Sequence, residues 1–575
     1  MASVVSVLAI VVALALACSL IVALTIMPML TARFVGARRA PQRAALQRLS
    51  NTGGQLYARM DTAYRRLLEG ALAAPRRVVA AAVVASLLAL LGLTQLGTEF
   101  MPATDEGEVR VSIQMPAGTR LGLLDAQTRK VETVVRRVVP NAVSVVTSVG
   151  SGGYRADGGA EADIRIELPS ASARDQSSQQ VAAALRAAIG QLPDTDIRVR
   201  VRQPFFFRML DIGSDGGSLE IEVRGYDFEV LQDLVERVQA RILSIPGITD
   251  LRASREGAAP QREIVIDRSA AADLGVTVAA IGQTVETAIA GTNAGYFLDD
   301  GDEVRVRVQL ADPMQVSLDQ ILDLPVPGVD GRRVTLDDVA RVRVSEGPVE
   351  IDRRNQQRIV SVDANIAGRD LGSVVADVQA ALDDIAIPAN YDLQLVGEYE
   401  AQVAAFSELG VNVALALLLV YMVMACLYES LIDPLIVMVT VPLALIGVVA
   451  TLMLTGTTLN AQSMLGCLML IGIVVNNAIL IVDQANLLQH EGLDATAAVR
   501  EAGRRRLRPI LMTAATTVFA LVPLAIGVGE GSESQAPLAR AVVGGMTTAT
   551  LITLIVIPVV YTGVHRAWPA RRSYS

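Results

Sequence analysis

The chain has 575 residues, 52% apolar and only 19% charged, too apolar for an ordinary soluble protein and long enough for several domains. Its formal charge of −9 hides an asymmetry, with arginines crowding short segments between apolar runs and acids collecting in a long central region. The 2 histidines argue against a His-based metal site, the 3 cysteines all lie in apolar runs and leave the polar region without a disulfide, and no GxxxxGK loop suggests ATP as an energy source.

Met1 to Ala32 carries no charged side chain and precedes Arg33, Arg38, Arg39, Arg43 and Arg48. LALAC, Leu14 to Cys18, looks like a lipoprotein cleavage box. A secretory signal needs a basic start, however, and the apolar run continues to Leu30. We read residues 1–32 as a transmembrane helix running outside to inside, because the basic flank marks the cytoplasm. Residues 33–77 form a cytoplasmic loop. In it Leu56, Met60, Tyr64, Leu67, Leu68 and Ala71 recur near helical spacing, as in a helix lying on the inner membrane surface. Residues 78–97 return outside as the second span.

Thr98 to Glu408 is soluble-domain sequence. Glu108 to Met115 alternates, Leu121 to Val139 is helical in period, and Ala142 to Val149 is β-rich. Ala162 to Leu168, Gln176 to Leu192 and Ile197 to Arg202 repeat the strand–helix–strand pattern. Residues 98–216 thus form one ferredoxin-like split βαβ unit. A second unit begins with Leu219 to Val223, a helix over Phe228 to Leu243, and strands near Ile248 to Ala253 and Arg262 to Asp267. Its other half is Glu350 to Asn365, Leu371 to Leu382 and Tyr391 to Val396, so it covers 217–267 and 345–408. Residues 268–344 are an insertion, which fits better than one very long loop. Five spans follow over 409–561, at Leu409 to Leu427, Leu435 to Leu454, Ser463 to Val482, Pro509 to Val528 and Ala541 to Tyr561. A cytoplasmic tail, 562–575, ends the chain. Every arginine cluster falls on one side of the resulting seven spans. The fold class is an α-helical membrane protein with α+β outer subdomains.

Within the span Ser463 to Val482, Asn476 and Asn477 are adjacent at mid-depth. A buried amide without a partner costs roughly 1–3 kcal/mol, so such residues face other helices or a wet path. One reading is interhelical bonding. Neighbours on a helix point about 100° apart, so one partner face cannot serve both.

Several stretches resemble one family in order: FMPATDE (Phe100 to Glu106), LYESLIDP (Leu427 to Pro434), GIVVNNAILIVD (Gly472 to Asp483), LRPILMT (Leu507 to Thr513), GGMTTA (Gly544 to Ala549) and IPVVY (Ile557 to Tyr561). The chain resembles resistance-nodulation-division (RND) transporters, specifically the inner-membrane subunit of hydrophobe/amphiphile efflux pumps of the acriflavine-resistance type. The resemblance implies the second half of a twelve-span protein, its sixth to twelfth helices with the second outer loop. The two βαβ units would be porter subdomains and the insertion a docking subdomain. It further implies proton-driven export of amphiphilic small molecules by a homotrimer in the inner membrane of a Gram-negative bacterium, with a periplasmic adaptor and an outer-membrane channel. The missing N-terminal half would be its partner, either ahead of it in one longer protein or as a separate subunit.

On the same resemblance Asn476 stands where drug pumps often have a lysine, Asn477 matches the family's asparagine, and Arg506 and Thr513 occupy eleventh-helix positions; together they would sense a proton held elsewhere. The alternative for Thr513, Thr516 and Thr517 is back-bonding to their own helix, and for Arg506 a cytoplasmic orientation charge. Phe205, Phe206, Phe207 and Met209 suit varied apolar ligands, or else inter-domain packing. Tyr154 sits in a glycine-rich loop, Gly150 to Gly159, similar to the family's mobile switch loop, or in an ordinary hairpin. Arg252 matches a cleft-entrance position.

Two other classes compete: a SecD/SecF-like protein-export relative, and a metal-efflux relative, for which methionine pairs and acidic residues in the tenth helix are expected instead of Asn476 and Asn477. No catalytic triad, metal cluster or cofactor motif supports an enzyme, and nothing points to nucleic acid. No Asp or Glu lies centrally in any span. A proton carrier is therefore expected from a partner.

Overall fold

The computed structural model describes residues 2–34, 44–102, 104–116, 119–150, 160–190, 192–202, 218–254, 258–311, 316–328, 333–348, 351–529 and 531–567. Three helices open the chain: α1 (Ala2–Phe34), α2 (Ala44–Ala73) and α3 (Pro75–Leu93). The amphipathic helix expected on the inner surface is α2. It inserts Tyr64 and Leu68 among the membrane helices.

The first α+β unit runs β1 (Glu108–Met115), α4 (Leu121–Val138), β2 (Ser144–Val149), β3 (Ala160–Glu167), α5 (Ser178–Ile189) and β4 (Asp196–Val201). The strands form an antiparallel sheet in the order β2-β3-β1-β4. Alternate residues of β1 (Val109, Val111, Ile113) and β3 (Ile164, Ile166) face one side. There they pack on Leu124, Val131 and Val135 of α4 and Val181 and Leu185 of α5.

The second unit starts with β5 (Leu219–Gly225), α6 (Phe228–Ile242) and β6 (Ile248–Ala253). It is interrupted by β7 (Ala258–Ile266), α7 (Arg268–Asp273), α8 (Val278–Ile289), β8 (Thr292–Asp299), β9 (Asp302–Val308), α9 (Leu318–Leu322), β10 (Pro325–Pro327), β11 (Arg333–Thr335), α10 (Leu336–Val339) and β12 (Ala340–Pro348). It resumes with β13 (Arg353–Arg354), β14 (Gln357–Ile366), α11 (Leu371–Leu382) and β15 (Asp392–Val396). Its sheet has β5 between β14 and β15, with β6 and β13 on the far side of β14. That repeats the strand order of the first unit.

One expected strand belongs elsewhere. Arg262 to Asp267 was assigned above to the second unit, yet β7 pairs along its length with β12, from Ala258 opposite Pro348 to Ile266 opposite Ala340. The two strands form a ribbon carrying the insertion, which has its own core of Ala271, Ile281, Val326, Leu336 and Val339. The insertion therefore begins at β7 and ends with β12, not at 268 and 344. From it the β8–β9 hairpin projects with Tyr296, Phe297, Leu298, Val304 and Val306 exposed.

The remaining helices are α12 (Glu398–Tyr428), α13 (Asp433–Met438), α14 (Thr440–Leu454), α15 (Ala461–His490), α16 (Ala495–Ile526) and α17 (Ala536–Ala567). With α13 and α14 taken as one span, 7 candidate membrane-crossing helices are present among the described residues, as the arginine distribution predicts. The arginines 500–508 lie on α16 itself. Asp433 opens α13 and is buried.

Helix α17 is the bundle's centre, packed on α14, α15 and α16. Small residues permit the approach. A Cβ on Gly544 would collide with Thr451 and the Gly447 carbonyl, and one on Gly545 with Leu470. In contrast, α1 has all its described side chains exposed, and only 11% of the apolar window in α12 and in α16 is buried against 67% in α17. The chain leaves one side of its bundle uncovered.

Candidate functional site

The amide pair divides as helical geometry requires. Asn477 is 4% exposed and its Nδ2 donates to Thr550 Oγ1 of α17 at 3.5 Å. That is the interhelical-bonding reading. Asn476, one position earlier, is exposed and makes no side-chain hydrogen bond among the described residues. It points to the side that α17 does not cover.

The eleventh-helix candidates also separate. The Thr513 hydroxyl donates to the Ile510 carbonyl at 3.0 Å, Thr516 to Met512 at 2.8 Å and Thr517 to Thr513 at 3.0 Å. All three back-bond to their own helix, satisfying hydroxyls that hydrocarbon cannot hydrate. Arg506 is half-buried near the cytoplasmic end of α16, and its Nε has no hydrogen-bond partner among the described residues. No hydrogen bond or ion pair joins Asn476, Asn477, Arg506 and Thr513 to one another.

Arg252 lies in β6, opposite Asp363 of β14. Across from it the first unit contributes Arg186, whose Nε is 3.3 Å from Asp250. The guanidinium of Arg200 is held below its ordinary range by burial first and by the like charge of Arg198 next, while Asp363 and Asp250 oppose the shift. Arg252 thus sits in the charged seam between the two α+β units. Phe205, Phe206, Phe207, Met209 and Tyr154 lie outside the described residues.

A junction links the second unit to the membrane helices. The Thr98 and Ser373 amides both donate to Asp370 Oδ2, at 3.0 and 2.9 Å, and the Thr458 hydroxyl donates to Glu99 Oε2 at 3.0 Å. Thr98 also bridges to Leu459, between α14 and α15. Burial pushes the Glu99 carboxyl up, the Thr458 hydroxyl opposes this, and Asp370 adds to the rise. The FMPATDE stretch serves this junction as well. Phe100 is buried, and Asp105 receives Arg174 at 2.6 Å, while its amide donates to Glu533 ahead of α17 at 3.0 Å.

Where the start of α13 meets the C-terminal ends of α15 and α17 lies a polar cluster that the sequence did not announce. Asp433 is 6% exposed. It accepts from Asn486 Nδ2 at 3.2 Å through Oδ2, and its Oδ1 is 3.2 Å from His565 Nε2. Tyr561 donates to Asn486 Oδ1 and stacks on His565 with ring centroids 4.2 Å apart. The available signal was the spacing of Tyr561 and His565, four residues apart on one face of a helix.

The AcrB/AcrD/AcrF family profile matches residues 2–565. The chain is 29% identical over 577 residues to the cobalt-zinc-cadmium resistance protein CzcA of Cupriavidus metallidurans, covering 96% of this chain and 52% of that protein. It is 29% identical to the nickel and cobalt resistance protein CnrA of the same organism, over 95% of this chain and 51% of CnrA. A crystal structure of a heavy metal efflux pump superposes with a TM-score of 0.76 at 27% identity, over 89% of this chain and 53% of that one. The chain spans about half the length of the curated relatives it matches. With a profile match running from α1 nearly to the end of α17, the chain belongs to the AcrB/AcrD/AcrF family of resistance-nodulation-division permeases.

Proposed function

We propose that the chain acts as one half of a proton-driven permease that exports divalent metal cations. One observation carries the substrate class: the alignment over 96% of the chain is to a protein named for cobalt, zinc and cadmium resistance. This corrects the expectation of amphiphilic drugs. The expectation rested on the resemblance to acriflavine-type pumps, with Asn476 and Asn477 set against a metal-efflux relative; an alignment along nearly the whole chain outweighs two residues.

On this reading the two α+β units are porter subdomains and the inserted unit, on its β7–β12 ribbon, is a docking subdomain. The seam holding Arg252 is where the porter units part for cargo. The exposed β8–β9 hairpin suits contact with another protomer of a homotrimer, and an adaptor and an outer-membrane channel complete the pump. The uncovered side of the bundle, with exposed Asn476 and α1, suits a matching set of spans that brings the proton carrier. Among the described residues the acids of the spanning helices lie toward helix ends, as with Glu408, Asp433 and Asp483. Asn476, Asn477, Arg506 and Thr513 then respond to a proton carried by those other spans.

The test is complementation. A metal-sensitive strain receives this chain with a matching first half, and cobalt, zinc and cadmium accumulation is compared with dye retention. The proposal expects lower metal content that an uncoupler restores, and no export by the chain alone. Dye export without any change in metal content would return the amphiphile reading.

A further inference from the structure

Asp433, Asn486, Tyr561 and His565 come from three helices, α13, α15 and α17, and meet in one buried cluster. The partners are far apart in sequence, His565 lying 132 positions after Asp433. The side chains of Asp433 and His565 are 9% and 13% exposed. A buried carboxylate is costly unless paired and hydrogen-bonded. Here Asn486 donates to one oxygen and the imidazole faces the other. His565 is the ion-pair partner that Asp433 has among the described residues, and it is charged only when it binds a proton.

Among the described residues the surroundings supply no competing cation. From α12, Tyr428 donates to the Ile479 carbonyl at 3.1 Å and lies within electrostatic reach of Asp433 and Asp483. Asp483 of α15 is exposed, as are His490 of α15 and Glu429 after α12. Arg566 of α17 turns away to Thr496 of α16, its NH2 at 3.1 Å from that hydroxyl. From α2, Tyr64 reaches α17 at the Leu554 carbonyl instead.

We propose that Asp433 and His565, braced by Asn486 and Tyr561, form a proton-binding clasp at the cytoplasmic ends of α13, α15 and α17. A proton from cytoplasmic water adds to the free imidazole nitrogen, while Nε2–H donates to Asp433 Oδ1. The bond from a neutral imidazole to the carboxylate becomes an ion pair, which adds the attraction of opposite charges to a bond the carboxylate already strengthens. The clasp therefore tightens as pH falls and loosens as His565 gives up its proton. This deepens the export reading and rests on it for its purpose, because it gives this half of the bundle a response to protons that its mid-membrane amides cannot make. The binding itself is independent of cargo.

With 2 histidines in the chain, His490→Gln leaves His565 as the single imidazole. Nitrogen NMR of that full-length protein in lipid nanodiscs, labelled at histidine, follows His565 directly from pH 8 to pH 5. The expected result is uptake of one proton by that imidazole, along a curve that changes in Asp433→Asn. His565→Gln, in the complete pump, should flatten the dependence of metal export on cytoplasmic pH while leaving the protein folded. An imidazole that keeps one state across this range, or an identical curve in Asp433→Asn, would overturn the clasp. A normal NMR titration in a protein that exports no metal would instead remove the export reading and leave the clasp standing.

Discussion

Helix α15 meets its neighbours through its asparagine side chains at two depths, and the two places are built from different chemistry. In the apolar middle, Asn477 meets Thr550 through a neutral hydrogen bond. Toward the cytoplasmic end, Asn486 joins a carboxylate, a phenol and an imidazole. Depth explains the difference. A neutral amide at mid-bilayer needs one partner, whereas a charge there carries a solvation cost that a single contact does not offset. Near the water boundary that cost falls, and titratable groups become tolerable. The bundle thus keeps its own ionisable chemistry at its edges and uses amides and small residues in its centre.

The largest effect expected of this contrast is at Asp433. Asp433→Ala leaves Asn486 and His565 without their acceptor and should lower stability by about 1–3 kcal/mol for each unpaired donor, read as a lower midpoint of SDS-induced unfolding. A loss below that of Asn477→Val would erase the distinction between the two sites. Next comes the tight packing of the centre. Gly545→Leu drives a side chain into Leu470 and should cost about 1–3 kcal/mol or more, where Gly563→Leu, which meets nothing within 4 Å, should cost little. Asn477→Val removes one interhelical bond and should cost about 1 kcal/mol.

Asn476→Leu sharpens the contrast most, because stability should stay within about 0.5 kcal/mol while export by the complemented pump falls. Equal destabilisation by both asparagine changes would mean that Asn476 has a partner within this bundle. The smallest effect is outside the membrane. Glu99 has a raised folded pKa, so its ionised form disfavours the folded state at neutral pH, and the penalty disappears as pH falls through that raised value. Glu99→Gln should therefore raise the melting temperature slightly at pH 7.5 and lose that advantage at pH 4.

Most of the fold was legible because its signals are local. Period-2 runs such as Val109, Val111 and Ile113 became strands, and uninterrupted apolar runs became spans. What escaped was non-local. Alternation identifies β7 as a strand but cannot say that its neighbour is β12, about eighty residues later. Around arginines 500–508 charge dominates the composition and hides a helix, yet Ala498, Val499, Ala502, Leu507 and Ile510 recur on one buried face. The candidate site was legible as residues and not as an arrangement. Asn476 and Asn477 stood out from their apolar run, but which of them faced a neighbour depended on where α17 packs. Asp433 and His565 each looked like ordinary flanking polar residues, and only tertiary contact brings them together.

The β7–β12 ribbon has a consequence for how such a chain can be built. Because Ala258 faces Pro348 across the ribbon, the points where the inserted unit leaves and rejoins the second unit are about 5 Å apart. A short turn could close that gap without moving β6 or β14. The inserted unit is therefore an exchangeable cassette, one whose tip can be lengthened, swapped or deleted while the sheet beneath it folds on unchanged contacts.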